Sequence, residues 1–142
     1  MAGPAETSVE DRNLERAIAW VRAIEDGQSG DALVGFLTPD VVHEDMPNRV
    51  FPKGSKSDLQ AMRAASERGQ TIMRRQRYDI LSAIGHGNSV ALELDWSAEL
   101  AVPVAGLQPG DEMRARVAIF LEFRDGRICH QRDYCCYEPF GT

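Results

Sequence analysis

Proton transfer at carbon needs a base held out of water, and Asp133, in Gln131-Arg132-Asp133-Tyr134, is the first candidate. A buried aspartate whose charge is disfavoured can take a proton from carbon or activate a water. The competing reading of Asp133 is pairing with Arg132 or Arg116, or plain solvation. His43 follows Val41-Val42, with Glu44 and Asp45 behind it. An imidazole there can shuttle a proton near neutral pH, although a lone histidine is also often a hydrogen-bonded structural residue. Asp95, two residues after Glu93, is a third candidate carboxylate. A solvent-facing polar row on a one-sided sheet accounts for it equally well. Cys135-Cys136 adjoins Asp133. A neighbouring base can make Cys135 a nucleophile, but the favoured reading is a small apolar residue.

The remaining chemistry-bearing residues define what is absent. His86 falls in a Gly-His-Gly-Asn turn, and His130 shares its parity with Ile128 and Arg132 without an evident partner. With His43 these give no metal-ligand spacing, so no metal is expected. No Gly-x-Ser-x-Gly elbow, phosphate loop or dinucleotide fingerprint occurs, and no cofactor is expected. Trp20, Tyr78, Trp96, Phe120 and Tyr137 can wall a pocket for a flat hydrophobic ligand, with Arg116 as a cation beside it. Each aromatic singly is also ordinary core. Trp20 lies off the main apolar stripe of its helix, toward a cavity mouth or a partner. Arg74, Arg75 and Arg77 fit a solvated strand edge protected by charge.

Composition narrows the partners. Sixteen Lys and Arg against 22 Asp and Glu give a net charge of −6, which argues against a nucleic-acid backbone as partner. At 142 residues with 43% hydrophobic content, the chain is expected to form one domain with its own core. Its 3 cysteines crowd one C-terminal segment, which is no disulfide framework. With no apolar leader or membrane-length run, a cytoplasmic protein with reduced thiols is expected.

The elements that position these residues follow from periodicity. Residues 1–7 are expected to be a frayed tail. Thr7 and Glu10 have capping-box spacing before a helix that carries Leu14, Ala17, Ile18, Val21 and Ile24 on one face, to about Asp26. Gly27 stops it. A second helix is expected over Ser29–Leu37, ended by Thr38-Pro39, then a short strand Asp40–Asp45 and a loop to Gly54. Ser57 and Gln60 suggest a capping box for a third helix, striped by Leu59, Met62 and Ala65 and closed by Gly69. Beyond Thr71 the period becomes two. Strands are expected over Tyr78–Ile84, Val90–Ser97, around Val117–Phe123, and over Ile128–Tyr137, the last pair joined by Asp125-Gly126. Helices segregated from a strand meander mean an α+β fold: a cone-shaped bent antiparallel sheet against three N-terminal helices, enclosing a pocket.

Particular segments also carry a family likeness. They are Gly30-Asp31-Ala32-Leu33, Pro39-Asp40-Val41-Val42-His43, the hairpin Phe120 to Ile128 with its Phe-Leu-Glu-Phe-Arg-Asp-Gly-Arg-Ile sequence, and Gln131-Arg132-Asp133-Tyr134. From Val9 to Phe140 the chain resembles the nuclear transport factor 2-like superfamily, which includes ketosteroid isomerase, and the SnoaL-like branch most. The resemblance implies a general-base role for the late-strand carboxylate Asp133 and a cavity-lining role for the segment holding His43. In the superfamily's epoxide hydrolases an Arg-x-Asp pair does the chemistry; here Glu93 stands where that arginine would precede Asp95, against epoxide hydrolysis. The implied activity is a cofactor-independent isomerisation, cyclisation or lyase step on a small hydrophobic carbonyl compound. Asp133 would take the proton, and His43 or an arginine would hold the oxyanion. The other implied function is a non-catalytic ligand-binding module. Pairing into a homodimer through the outer sheet face is expected under either.

Overall fold

The computed structural model describes residues 8–139, so the expected tail over residues 1–7 lies outside the described residues. The first helix, α1, spans Val9–Glu25. Its cap is Ser8, whose Oγ accepts from the Asp11 amide at 3.1 Å. The cap therefore falls one residue later than the expected Thr7–Glu10 box. Glu10 instead accepts from the Gly87 amide at 3.1 Å and ties the helix to a distant hairpin. Gly27, at φ +82°, turns the chain away in a conformation that a side chain disfavours.

The next stretch departs most from expectation. The second helix, α2, is a single turn, Asp31–Val34, and the strand β1 already begins at Leu37, spanning Leu37–Asp45. Sheet pairing wins here. The Ile128 amide donates to the Phe36 carbonyl at 2.8 Å, and Leu37 pairs with Ile128. Pro39 sits between Leu37 and Val42, where the register shifts, so its missing N–H breaks no regular ladder. A short strand β2, Ser55–Ser57, pairs antiparallel with the end of β1. Helix α3 then runs Leu59–Ile72, past Gly69, capped by Asp58 rather than Ser57. It contributes no buried residue.

Four long strands follow: β3 Met73–His86, β4 Ser89–Leu100, β5 Glu112–Arg124 and β6 Arg127–Tyr137. Gly87 (φ +57°) turns the first hairpin; Asp125 (φ +52°) and Gly126 (φ +77°) turn the last, as the Asp-Gly pair requires. The curved, unclosed sheet has the order β2-β1-β6-β5-β4-β3. Its pairings are antiparallel except β1 with β6, which is parallel. The fold is α+β, with the helices on one sheet face. Alternate residues Leu92 and Leu94 of β4, with Val117, Ile119 and Leu121 of β5, are buried against Ala17, Trp20 and Val21 of α1. A bulge leaves Cys129 unpaired between Ile128 and His130, so parity flips there and Ile128 is buried, contrary to strict alternation. Among the described residues no helix is long and apolar enough to cross a membrane.

Candidate active site

The parallel pairing of β1 with β6 puts His43 opposite Gln131 and Asp45 opposite Asp133. Because side chains alternate, these four share the inner sheet face while Glu44 and Arg132 point outward. His43 Nε2 lies 3.0 Å from Asp133 Oδ2 and 3.9 Å from Asp45 Oδ2. The Gln131 amide donates to Asp133 Oδ1 at 2.9 Å, and its own oxygen accepts from Trp20 Nε1 at 3.1 Å. Ser55 donates to Asp45 at 3.3 Å. Both Asp133 oxygens are thus held, one by an imidazole and one by an amide whose orientation an indole fixes.

Two carboxylates directly opposite each other on neighbouring strands repel. Burial, and then the charge of Asp133, push the Asp45 carboxyl above its usual range. For His43, burial alone would lower the pKa. The hydrogen bond and charge of Asp133, with the charges of Asp45 and Glu44, outweigh it, and the imidazole is raised above 6.5. The arrangement is an imidazole that binds its proton more tightly than usual beside a fixed carboxylate. Such a pair can accept, store and return a proton near neutral pH.

This cluster lines a cavity of about 410 Å³ between the sheet and the helices, within the size range of about 300–1,000 Å³ usual for small-molecule sites. Its walls are mainly apolar: Val21, Leu33 and Met62 from the helices, Val117 and Ile119 from the sheet. The expected aromatic residues Trp20, Tyr78, Trp96 and Tyr137 all line it. Trp20 is buried, at 4% exposure, rather than turned to a mouth or a partner. Trp96 and Tyr137 meet edge to face, their ring centres 6.1 Å apart. Trp96 Nε1 and the Tyr78 hydroxyl both donate to Gln76 Oε1, each at 3.0 Å.

The sequence matches the model of the SnoaL-like domain over residues 17–131. The chain belongs to the SnoaL-like family. No functionally curated protein matches it. Among solved structures, a proposed polyketide cyclase from Xanthomonas campestris pv. campestris is similar, with TM-score 0.75, 23% identity and coverage of 89% of this chain and 92% of that one. AclR, a proposed hydroxylase from Streptomyces galilaeus, gives TM-score 0.74 at 20% identity, covering 93% and 83%. An LEH-like epoxide hydrolase from M. tuberculosis gives 0.66 at 20%, covering 90% and 85%. At these identities the structures speak for the fold alone.

Not every expected site residue of this SnoaL-like chain reaches the cavity. Asp95 and Arg116 lie on the opposite, exposed sheet face, where Arg116 Nε meets Asp95 Oδ1 at 2.7 Å and its Nη1 meets Glu93 Oε2 at 3.5 Å. They neutralise one another, which removes Asp95 as a cavity acid and Arg116 as a ligand or oxyanion cation. Phe120 is also outside, packed edge to face on Tyr134. His130, read as unpartnered, bridges Glu44 at 2.8 Å and Glu122 at 3.2 Å on that face. Cys135 does face the cavity, but burial, then the charges of Asp133 and Asp45, push its thiol up to about 12. That disfavours the thiolate, the nucleophilic form of the side chain.

Sequence reasoning missed Asp45, Gln131 and Gln76 in this SnoaL-like fold. Asp45 shares the strand parity of His43, and Gln131 that of Asp133; pairing those two parities was the available signal. His43, Asp45 and Asp133 also present ligand atoms all within 4.8 Å of one another. An imidazole with two carboxylates can take a divalent cation. No histidine spacing announces that set, because it is assembled across two strands.

Proposed function

We propose that the chain is an acid–base enzyme acting without a cofactor on a small, hydrophobic carbonyl compound, as an isomerase, cyclase or lyase. The observation carrying this reading is the His43–Asp133 contact of 3.0 Å in the lining of a mainly apolar, aromatic-walled cavity. Asp133, fixed by Gln131 and His43, takes the proton α to the carbonyl. His43 holds its own proton against Asp133, balances the charge and returns a proton later in the cycle. Trp20, Tyr78, Trp96 and Tyr137 clasp the flat body of the ligand. Family membership supports small-molecule chemistry, and the similar structures include a proposed polyketide cyclase.

The same reading includes a homodimer through the outer sheet face, supported by Phe120 and Tyr134, which are 39% and 41% exposed there. It also includes a cytoplasmic setting, which suits the free thiols Cys129, Cys135 and Cys136.

Deuterium exchange at the α-carbons of 2-tetralone in D2O, followed by proton NMR, tests the proton transfer. Wild type should accelerate exchange, and Asp133→Asn should abolish the acceleration with an unchanged circular dichroism spectrum. Equal exchange by both proteins sinks the assignment of Asp133. Binding of 2-tetralone without any exchange favours a ligand-binding module instead.

A further inference from the structure

Of the four glutamines lining the cavity, Gln28 and Gln70 are exposed, whereas Gln76 and Gln131 each meet an indole that decides which end of the amide donates. An indole N–H can only donate, so the atom it meets must be the amide oxygen. Trp20 fixes Gln131 in this way, and the Gln131 nitrogen is spent on Asp133 Oδ1 at 2.9 Å. Trp96 fixes Gln76 at 3.0 Å, and the Tyr78 hydroxyl adds a second donor to the same oxygen at 3.0 Å. An amide oxygen has two lone pairs, so Gln76 Oε1 is saturated. Flipping the amide would set its NH2 against the indole N–H of Trp96, which cannot accept.

The consequence lies at the other end of the side chain. Gln76 lines the cavity, and its Nε2, which carries two hydrogens, meets no acceptor among the described residues. Of Trp20, Trp96, Gln131 and Gln76, only Gln76 keeps its N–H groups free of a protein partner. Its orientation is set beforehand by two bonds, so using it costs little further ordering, as in an oxyanion site. The Tyr78 phenol is raised above its ordinary pKa by burial first and then by the charge of Asp133, so it remains a donor to Gln76 across the neutral range.

The chemistry of the surroundings selects the acceptor. Asp45 and Asp133 are the carboxylates lining the cavity, and they oppose an anionic ligand group nearby. The lining arginines, Arg63 and Arg68, belong to α3, and Arg63 is bound to Asp31 at 2.8 Å. Gln76 offers a neutral donor on an aromatic wall. An uncharged acceptor oxygen on a flat apolar body satisfies it. The proton-transfer reading also leaves an oxygen unaccounted for: His43 is committed to the base, and Arg116 is outside.

We propose that Gln76 is the carbonyl-recognising residue of the cavity, its amide N–H groups donating to a ketone or ester oxygen of the ligand and holding that oxygen as it gains enolate charge. The second half rests on Asp133 acting as the base. As Asp133 takes the α-proton, the C–H electron pair becomes the C=C bond. The C=O π pair moves onto oxygen, where Gln76 donates to it. Reprotonation at carbon reverses each shift, and no oxidant or reductant is consumed.

Gln76→Glu separates this role from a structural one. Its carboxylate still accepts from Trp96 and Tyr78 but has no hydrogen to offer a ligand. Gln76→Met serves as a second variant that adds no charge. The probes are 2-tetralone, with a 13C-labelled carbonyl, and tetralin, which has the same shape and no acceptor. Wild type should prefer the ketone by roughly five- to tenfold, as one net hydrogen bond implies, and lower its carbonyl stretching frequency relative to the ketone in alkane. Both variants should lose the preference and the shift while keeping tetralin affinity. An unchanged carbonyl band in the variants, or no ketone preference in wild type, overturns the proposal. Asp133→Asn should keep the preference and the band while losing deuterium exchange. If it exchanges normally, the base assignment fails, while the role of Gln76 is still read from binding and the carbonyl band.

Discussion

His43 Nε2 and Asp133 Oδ2 meet at 3.0 Å although 90 residues separate them in the chain. The contact joins β1 and β6, the only parallel strand pair among the described residues, and it sets a pH dependence. The His43 pKa is raised above 6.5 in the folded protein; burial works against the rise, but Asp133, Asp45 and Glu44 prevail. A raised folded-state pKa gives stability that is fully present below the unfolded value and lost as pH rises through the folded one. Urea unfolding of wild type and His43→Gln should therefore differ most near pH 6, by about 1–3 kcal/mol for a charge-assisted hydrogen bond. The difference should shrink by pH 9. A gap that is constant across this range would show that His43 stays neutral.

Asp45 works in the opposite spirit. Its carboxyl is raised above 3.8 by burial and by Asp133, so folding disfavours its charge. Its favourable contribution is present below 3.8 and is lost as pH rises through the folded value. Asp45→Asn should accordingly stabilise the protein at pH 7, by up to about 1 kcal/mol for relief of a like-charge pair. At pH 3.5 the benefit should vanish. Proton-exchange activity should fall in the same variant, because His43 loses one of the charges that hold its proton. Thermal melts at the two pH values check the first part, and a variant less stable at pH 7 contradicts it.

How much of this the sequence carried depended on range. The alternation of Val90, Leu92 and Leu94, and of Val117, Ile119 and Leu121, put the right residues in the core because parity is a local property. Asp125-Gly126 named its own turn for the same reason. Asp40–Asp45 was legible as a strand, but the stretch Phe36–Pro39 before it misled, since its extended form comes from pairing with β6, almost a hundred residues on. Site residues divided the same way. Asp133 and His43 were legible as residue types on predicted strands, but the choice between cavity and solvent for Asp95 required knowing which sheet face the helices cover. Gln131 and Gln76 were invisible as site residues, because what marks them is an indole partner and not a motif.

The cysteines give a chemical readout of the two sheet faces. Cys135 faces the cavity with its thiol pushed up to about 12, first by burial and then by Asp133 and Asp45. At pH 7.5 its thiolate fraction is on the order of one in ten thousand or less, and the thiolate is the reactive form. Cys136, the next residue, is exposed on the outer face. Iodoacetamide followed by peptide mass spectrometry should modify Cys136 readily and leave Cys135 unmodified. Cys135→Ser should retain proton-exchange activity. Rapid alkylation of Cys135 in the folded protein would mean that it carries a thiolate after all.

Gly54 supports the cluster from behind. It takes φ +69°, and a β-carbon there would stand 2.6 Å from the Asp45 carbonyl oxygen and 3.3 Å from Pro47. Gly87 has a similar φ of +57° but open space around it. Comparing the two therefore separates backbone strain from collision. Gly87→Ala should cost about 1–2 kcal/mol, the left-handed penalty alone, and leave the cavity chemistry intact. Gly54→Ala carries that penalty plus overpacking of about 1–3 kcal/mol. The collision partner is backbone at the end of β1, so relief requires Asp45 itself to move. Gly54→Ala should therefore lose both more stability and most α-proton exchange, as urea unfolding and NMR can measure side by side. Equal losses of stability in the two variants, with exchange preserved in both, would show that the 46–54 loop yields without disturbing Asp45.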